Sequence, residues 1–219
     1  MLKFLIKIIL GIALFFALVF LPAGTLNWPE AWLFIGIYAV YALFVFPYLQ
    51  KRSPKLIETR TTLRKTKSWD VSIMVAFSLL MVALLVLTGF DAVRYGWNDV
   101  PLPLKAAGFL GIVLGLILAF LVMRENPFAS KAEEVQKGQK VISTGLYGHV
   151  RHPMYAAFSV MFVSLPLALG SYWGVLPAIG IVIVMCIRMK LEEKMLCKEL
   201  KGYKEYMKKV KWRMVPGVW

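Results

Sequence analysis

Apolar residues along the chain form six long runs separated by short polar segments. The first four runs contain 18 to 20 residues each, close to the roughly 20 that a helix needs to cross the hydrocarbon core of a bilayer. Two shorter runs follow and are separated only by Gly170, Ser171 and Tyr172. The six runs occupy residues 4–21, 31–49, 71–90, 106–123, 154–169 and 173–187.

Backbone groups inside a bilayer must find their hydrogen-bond partners within the protein, so each run is predicted to be helical. The predicted fold is therefore all-α: a polytopic membrane helix bundle of about six hydrophobic segments. The last two segments are expected to form a tight helical hairpin, and a charged C-terminal helix and tail follow them.

The composition agrees with this prediction. Hydrophobic residues make up 59% of the chain, charged residues 17%, and the mean hydropathy is +0.68, whereas soluble domains are about half apolar and a quarter charged. A net charge of +14 is also typical of nucleic-acid-binding proteins, but its distribution favours another explanation. If the six segments alternate sides, 24 of the 26 Lys and Arg residues lie on one side, leaving Arg94 and Lys105 on the other.

The positive-inside rule then predicts a multi-pass protein with both termini in the cytoplasm, in the inner cell membrane if the source is prokaryotic. The positive charge suits anionic lipid headgroups as partners. Neither a nucleic-acid partner nor an obligate protein partner is predicted.

Two polar segments flank the predicted hairpin on this same side. The first is "TGLYGHVRHPMY", residues 144–155, in which Pro153 suits the first turn of a helix. The residues before it would lie at a helix N-terminus, which attracts anions. The alternative is that Arg151 reaches to lipid phosphates and His152 merely caps the helix; this stretch alone does not decide between them.

The second polar segment is "RMKLEEKMLCKELKGYKEY", residues 188–206, predicted as an amphipathic helix that follows the last apolar run. Arg188 and Glu192 are four residues apart and share one helix face. They could be ordinary solvated charges, but ionisable groups near the membrane boundary are candidates for function. His149 and His152 have no third ligand at a suitable spacing, so no metal site is predicted.

Together these segments resemble the isoprenylcysteine carboxyl methyltransferase family, part of a wider group of integral membrane methyltransferases that includes phospholipid methyltransferases. The resemblance rests on "TGLYGHVRHPMY", an apolar hairpin and "RMKLEEKMLCKELKGYKEYMKKVKWRMVP", and covers residues 126–219. Leu146 stands where the family usually has Pro, which leaves the substrate less defined than the reaction. The implied organisation is a bundle of four transmembrane helices over residues 1–124, with a possible substrate groove, and a methyltransferase core over 125–219.

The resemblance implies methyl transfer from S-adenosyl-L-methionine, giving S-adenosyl-L-homocysteine, at the cytoplasmic membrane face. It implies a cofactor pocket built from the Arg-His-Pro region, the C-terminal helix and the tail. Arg188 would hold the carboxylate of a lipophilic substrate entering from the membrane, and Glu192 is the second catalytic candidate. The implied cofactor-binding residues are Tyr147, Arg151, His152, Pro153, Tyr155, Glu193, Tyr203 and Tyr206.

Three alternatives stay open at the level of sequence. A phospholipid or amine N-methyltransferase would use a neutral amine, whose proton Glu192 or Glu193 could accept. Membrane sterol reductases resemble the same region but tend to have Asn where this chain has Met154. A non-catalytic scaffold or small transporter is disfavoured, because the four long runs contain no charged residue at the depth where transporters place one.

Overall fold

The computed structural model of the protein describes residues 2–54, 56–57, 67–129, 135–136 and 138–219, with the backbone alone for residues 2–9. Across these residues the regular structure is helical and no strand forms, which confirms the predicted all-α fold. A π turn at Phe90–Arg94 continues α3, and a 3₁₀ turn covers Gly145–Gly148. The seven α-helices in this part of the chain are α1 (Leu2–Ala23), α2 (Pro29–Arg52), α3 (Ser68–Gly89), α4 (Leu102–Glu125), α5 (Pro153–Ala168), α6 (Val175–Glu199) and α7 (Tyr203–Lys209).

The first five helices correspond in order to the first five predicted apolar runs. Among the described residues, three segments are long and apolar enough to cross a membrane: α2, α3 extended through its π turn to Arg94, and α4. Helix α5 is apolar but shorter, as is the part of α1 from Leu10 to Ala23. The protein is therefore an integral membrane protein by the length and composition of its helices.

Helices α5 and α6 form the predicted hairpin. The 16 residues of α5 reach about 24 Å as a helix, and residues 169–174 connect it to α6. The carboxylate of Asp91, in the π turn that continues α3, accepts hydrogen bonds from the Ser171 hydroxyl at 2.7 Å and the Trp173 backbone N–H at 3.1 Å. These bonds attach the tight turn to the neighbouring helix.

Close packing of α4 against α5 positions the start of α5. Gly108, Gly111 and Gly115 are spaced three and four residues apart and therefore lie on one face of α4. All three face α5: a Cβ atom added at Gly108 would lie 2.5 Å from the backbone nitrogen of Ala168. Small residues that let helix backbones approach closely are typical of membrane helix interfaces. This contact brings the end of α4, at Glu125, beside the segment that leads into α5.

Helix α6 differs from the prediction at its C-terminal half. The sequence suggested a separate amphipathic helix over residues 188–206, whereas α6 runs without a break from Val175 to Glu199 and a second helix, α7, begins at Tyr203. The reason is local: no Pro or Gly interrupts the chain between Ile187 and Glu199. Gly202, with φ of +87°, provides the left-handed backbone needed for the change of direction.

Candidate active site

The segment before α5 and the C-terminal tail run side by side. Pro153 is the first residue of α5 and His152 is its N-cap. The backbone N–H groups of Arg151 and His152 do not bind the helix; they donate to the carbonyls of Trp212 at 2.9 Å and Arg213 at 2.8 Å. The tail therefore forms one wall of the region around the Arg-His-Pro motif.

Arg151 joins three segments through its side chain. It is buried, and its Nε atom lies 2.7 Å from Oε1 of Glu193 on α6. Its Nη1 atom donates to the carbonyls of Val210 and Lys211, each at 2.8 Å. These protein partners bind both Nε and Nη1 and fix the position of the guanidinium. The predicted role of Arg151 toward the cofactor stays a prediction.

Glu193 is the centre of this network. Besides Arg151, its carboxylate accepts hydrogen bonds from Nε2 of His152 at 3.2 Å and from Nε of Arg213 at 2.9 Å. Burial alone would raise the pKa of Glu193, but hydrogen bonds from His152, Arg151 and Arg213 outweigh burial and lower this pKa to about 2. Glu193 is therefore an anion at neutral pH that ties the tail and the motif to α6.

Glu192, the next residue on α6, has different neighbours. Its Oε2 atom accepts a hydrogen bond from the hydroxyl of Tyr155 at 2.8 Å and lies 3.9 Å from Nδ1 of His152. The rings of His152 and Tyr155 meet edge to face, with centroids 5.6 Å apart. Because His152 donates from Nε2 to Glu193, its Nδ1 atom is on the side of Glu192.

Three tyrosines cover the other side of the motif. The hydroxyl of Tyr147 accepts a hydrogen bond from the side-chain amide of Asn126 at 2.9 Å, and the hydroxyl of Tyr206 donates to the Tyr147 carbonyl at 2.7 Å. Tyr203 is buried, and its hydroxyl has no hydrogen-bond partner within the described part of the chain. Burial, followed by the negative charges of Glu192 and Glu193, raises the pKa of Tyr203. Tyr203 therefore stays a neutral phenol able to donate a hydrogen bond.

These groups line one open pocket with a cavity volume of about 130 Å³. Its apolar wall comes mainly from the end of α6, with Met195, Leu196 and Leu200. Among its described lining residues Glu192 is the only acid, and Lys140 and Arg151 are the bases. The predicted site residues that line the pocket are Tyr147, Arg151, His152, Pro153, Glu192, Tyr203 and Tyr206.

Tyr155 and Glu193 lie behind this lining and contact it through Glu192, His152 and Arg151. Within the described residues, no group of three or more His, Cys, Asp or Glu side chains could hold a metal ion.

Most of the pocket lining lies within the part of the chain that matches a known family, and Tyr203 and Tyr206 follow that part. Residues 104–202, just under half of the chain, match the model of the phospholipid methyltransferase family. The match extends from α4 to the end of α6 and includes both the Arg-His-Pro motif and the two adjacent glutamates. This part of the chain is similar to membrane methyltransferases. The resemblance to integral membrane methyltransferases predicted from the sequence is thereby confirmed.

A solved structure shares the fold of this chain. The eukaryotic intramembrane Ras methyltransferase ICMT (isoprenylcysteine carboxyl methyltransferase) aligns with a TM-score of 0.52 and 19% sequence identity. The alignment covers 93% of this chain and 74% of that chain. At this identity the likeness shows the common architecture. No curated protein matches the sequence.

Arg188 lies apart from the pocket lining. Its Nε and Nη2 atoms bind the two carboxylate oxygens of Asp70, at 2.7 Å and 3.1 Å. Asp70 is fully buried in the first turn of α3. The predicted role of Arg188 toward the substrate stays a prediction, and the structure adds that one edge of its guanidinium is held by Asp70.

Asp70, which binds Arg188, and Arg213, which binds Glu193, are two residues that sequence reasoning missed. Asp70 immediately precedes the third apolar run, and an acid bordering a membrane helix was the available signal. Arg213 was one of many basic residues in the tail, and nothing in its spacing indicated a contact with Glu193.

Proposed function

We propose that the protein transfers a methyl group from S-adenosyl-L-methionine to a lipophilic acceptor that enters from the membrane. The observation that carries this proposal is the unpartnered, buried hydroxyl of Tyr203 in the pocket formed by the Arg-His-Pro motif, α6 and α7. A buried polar group without a partner is costly, so the pocket suits a ligand that accepts a hydrogen bond there.

The chemistry of the lining fits the proposed cofactor. Glu192 suits a cationic amino group, Lys140 suits a carboxylate, and the apolar wall at Met195, Leu196 and Leu200 suits an aromatic base. S-adenosyl-L-methionine supplies an electrophilic methyl group on a sulfonium. The protein's own contribution is to orient the acceptor and to replace bulk water around the opposing charges.

We propose a carboxylate as the acceptor, on an isoprenylcysteine-like or other lipophilic acid. A carboxylate is already a nucleophile at neutral pH and needs no base. Arg188, at the end of the apolar part of α6, is the cation proposed to bind it. The shared fold with an isoprenylcysteine carboxyl methyltransferase supports this choice.

An amine of a phospholipid headgroup is the second candidate acceptor. Two observations favour it: the matched family is named for phospholipid methylation, and Glu192 is the only acid among the described residues of the pocket lining. The ammonium of such a headgroup must lose a proton before its nitrogen can attack the methyl group, and Glu192 is the group proposed to accept that proton.

Calorimetric titration of the detergent-purified protein with S-adenosyl-L-homocysteine tests the cofactor. We expect saturable binding, and Tyr203→Phe should weaken it by roughly 2- to 10-fold, since a net hydrogen bond contributes about 0.5–1.5 kcal/mol. Tyr172→Phe, at a half-exposed tyrosine in the hairpin turn at the other end of α5, is the matched control and should bind normally. Absence of wild-type binding at millimolar ligand would refute the proposal.

The acceptor is identified by transfer of a radiolabelled methyl group to prenylcysteine analogues and to extracted lipids. A methyl ester releases its label as methanol in base, whereas an N-methyl group keeps it. Base-labile label on a lipophilic acid supports the first acceptor. Base-stable label in a phospholipid supports the second and rejects the first.

A further inference from the structure

Asp70 is a buried carboxylate to which the proposed mechanism gives no role. It is the third residue of α3, has no solvent exposure, and lies 118 positions before Arg188 in sequence. Its two oxygens bind Nε and Nη2 of Arg188 side by side. Paired bonds of this kind fix the plane of a guanidinium as well as its position.

The pair lies at the membrane side of the pocket. Arg188 precedes Glu192 by one helical turn on the same face of α6, a rise of about 6 Å. Glu192 lines the pocket, while Ile187 and the residues before it are the apolar part of α6. Arg188 is therefore between the pocket and the apolar segment, on the path of an acceptor whose tail stays in the membrane.

We propose that Asp70 is a positioning residue for the acceptor and acts by holding Arg188; this rests on the proposed function. A long cationic side chain at a membrane boundary otherwise tends to extend toward lipid phosphates. By binding the Nε and Nη2 edge, Asp70 keeps the guanidinium beside the pocket and sets the direction of its Nη1 edge.

The test compares Asp70→Asn with a matched ion-pair variant. Asn keeps the shape of Asp70 but removes its charge. Glu30→Gln is the control, because it likewise removes the charge of an acid that forms an ion pair. Glu30 on α2 pairs with Lys105 on α4, with the charged atoms 2.8 Å apart. That pair also joins two helices, but it lies at the end of the bundle opposite the pocket.

Both variants should lose some thermal stability and keep the wild-type affinity for S-adenosyl-L-homocysteine within about twofold. Only Asp70→Asn should lower kcat/KM for the acceptor, by roughly 10- to 100-fold, the scale of a small misplacement of a reacting group. An Asp70→Asn enzyme whose kcat/KM matches that of Glu30→Gln overturns the inference. Loss of cofactor binding in Asp70→Asn alone also overturns it, because Asp70 would then serve the cofactor site.

Arg188→Lys keeps the inference testable if Asp70→Asn fails to fold. Lys retains the positive charge but cannot make the paired contact with Asp70. The same loss of kcat/KM with retained cofactor affinity is expected, and a wild-type kcat/KM would overturn the inference. A wild-type protein that binds no S-adenosyl-L-homocysteine overturns the proposed function and this inference together. Normal wild-type binding and transfer with an unaffected Asp70→Asn overturns the inference alone.

Discussion

Glu193 makes the stability of the folded protein decrease at acid pH. Its pKa in the folded protein, about 2, lies below the ordinary value of 4.5 because hydrogen bonds from His152, Arg151 and Arg213 outweigh the effect of burial. The folded state therefore binds a proton less readily than the unfolded state. The stabilisation from Glu193 is complete above about pH 4.5 and is lost as pH falls from there toward 2.

We expect the melting temperature of the purified protein to fall over this range, and Glu193→Gln to remove part of that fall. Glu205→Gln, at an exposed acid on α7, is the control and should leave the pH dependence as in the wild type. If the melting temperatures of the wild type and Glu193→Gln fall equally steeply between about pH 4.5 and 2, Glu193 is not the cause of the fall. Melting curves at a series of pH values provide the measurement.

At the residue scale, the sequence predicted which residues lie in the pocket better than it predicted their hydrogen-bond partners. Pro153 begins a helix as its position predicts, and seven of the predicted residues line one pocket. The contacts of Glu193 with Arg213 and of Arg188 with Asp70 were not predictable, because they depend on how separate segments pack. Helical spacing relates residues three or four apart and contains no information about such long-range pairs.

At the element scale, the glycine face of α4 determines where α5 begins. Gly108→Leu should push α4 and α5 apart, since even a Cβ atom would lie 2.5 Å from the Ala168 backbone nitrogen. Overpacking of this kind costs about 1–3 kcal/mol, occasionally more, so we expect a melting temperature lower by several degrees. Cofactor affinity should also fall, because Asn126, which follows α4, binds Tyr147 in the pocket wall.

Gly36→Leu is the matched control for this prediction. Gly36 lies in α2, another apolar helix, and nothing approaches its Cβ position within 4 Å. Its melting temperature and cofactor affinity should stay near the wild-type values. Leu favours a helix more than Gly does, so an equal loss of stability in both variants would show that the loss in Gly108→Leu does not come from the α4–α5 contact.

Helix positions were predicted well and one helix boundary was not. The apolar runs found the membrane helices because hydrocarbon thickness sets their length. The continuity of α6 was missed because the sequence changes from apolar to charged at Arg188, although the backbone does not change. The change from apolar to charged residues marks where α6 changes environment, not where a new helix begins. Helix α7 is separate from α6 because Gly202 adopts a left-handed backbone conformation. A hydropathy pattern does not predict that conformation.

At the scale of the whole molecule, the helices separate two polar ends. One end holds the pocket, with Arg151, Glu193 and Arg213. The other end holds the Lys105–Glu30 pair and the contact between Asp91 and Ser171. The positive-inside rule relates the side of the membrane on which a loop lies to its content of Lys and Arg. Which end faces the cytoplasm therefore rests on the distribution of Lys and Arg.

The pocket end is predicted to face the cytoplasm, and cysteine labelling in intact cells tests this. Glu205 on α7 and Asp99 in the loop before α4 are both exposed, at opposite ends of the bundle. Each is replaced by Cys in a background in which Cys186 and Cys197 are Ser, and the cells are treated with a membrane-impermeant maleimide. Asp99→Cys should react in intact cells, whereas Glu205→Cys should react only after permeabilisation. Labelling in denaturant controls for reactivity, and the reverse pattern would invert the topology. That result would place the pocket on the face without cytoplasmic S-adenosyl-L-methionine and remove the positive-inside argument for its location.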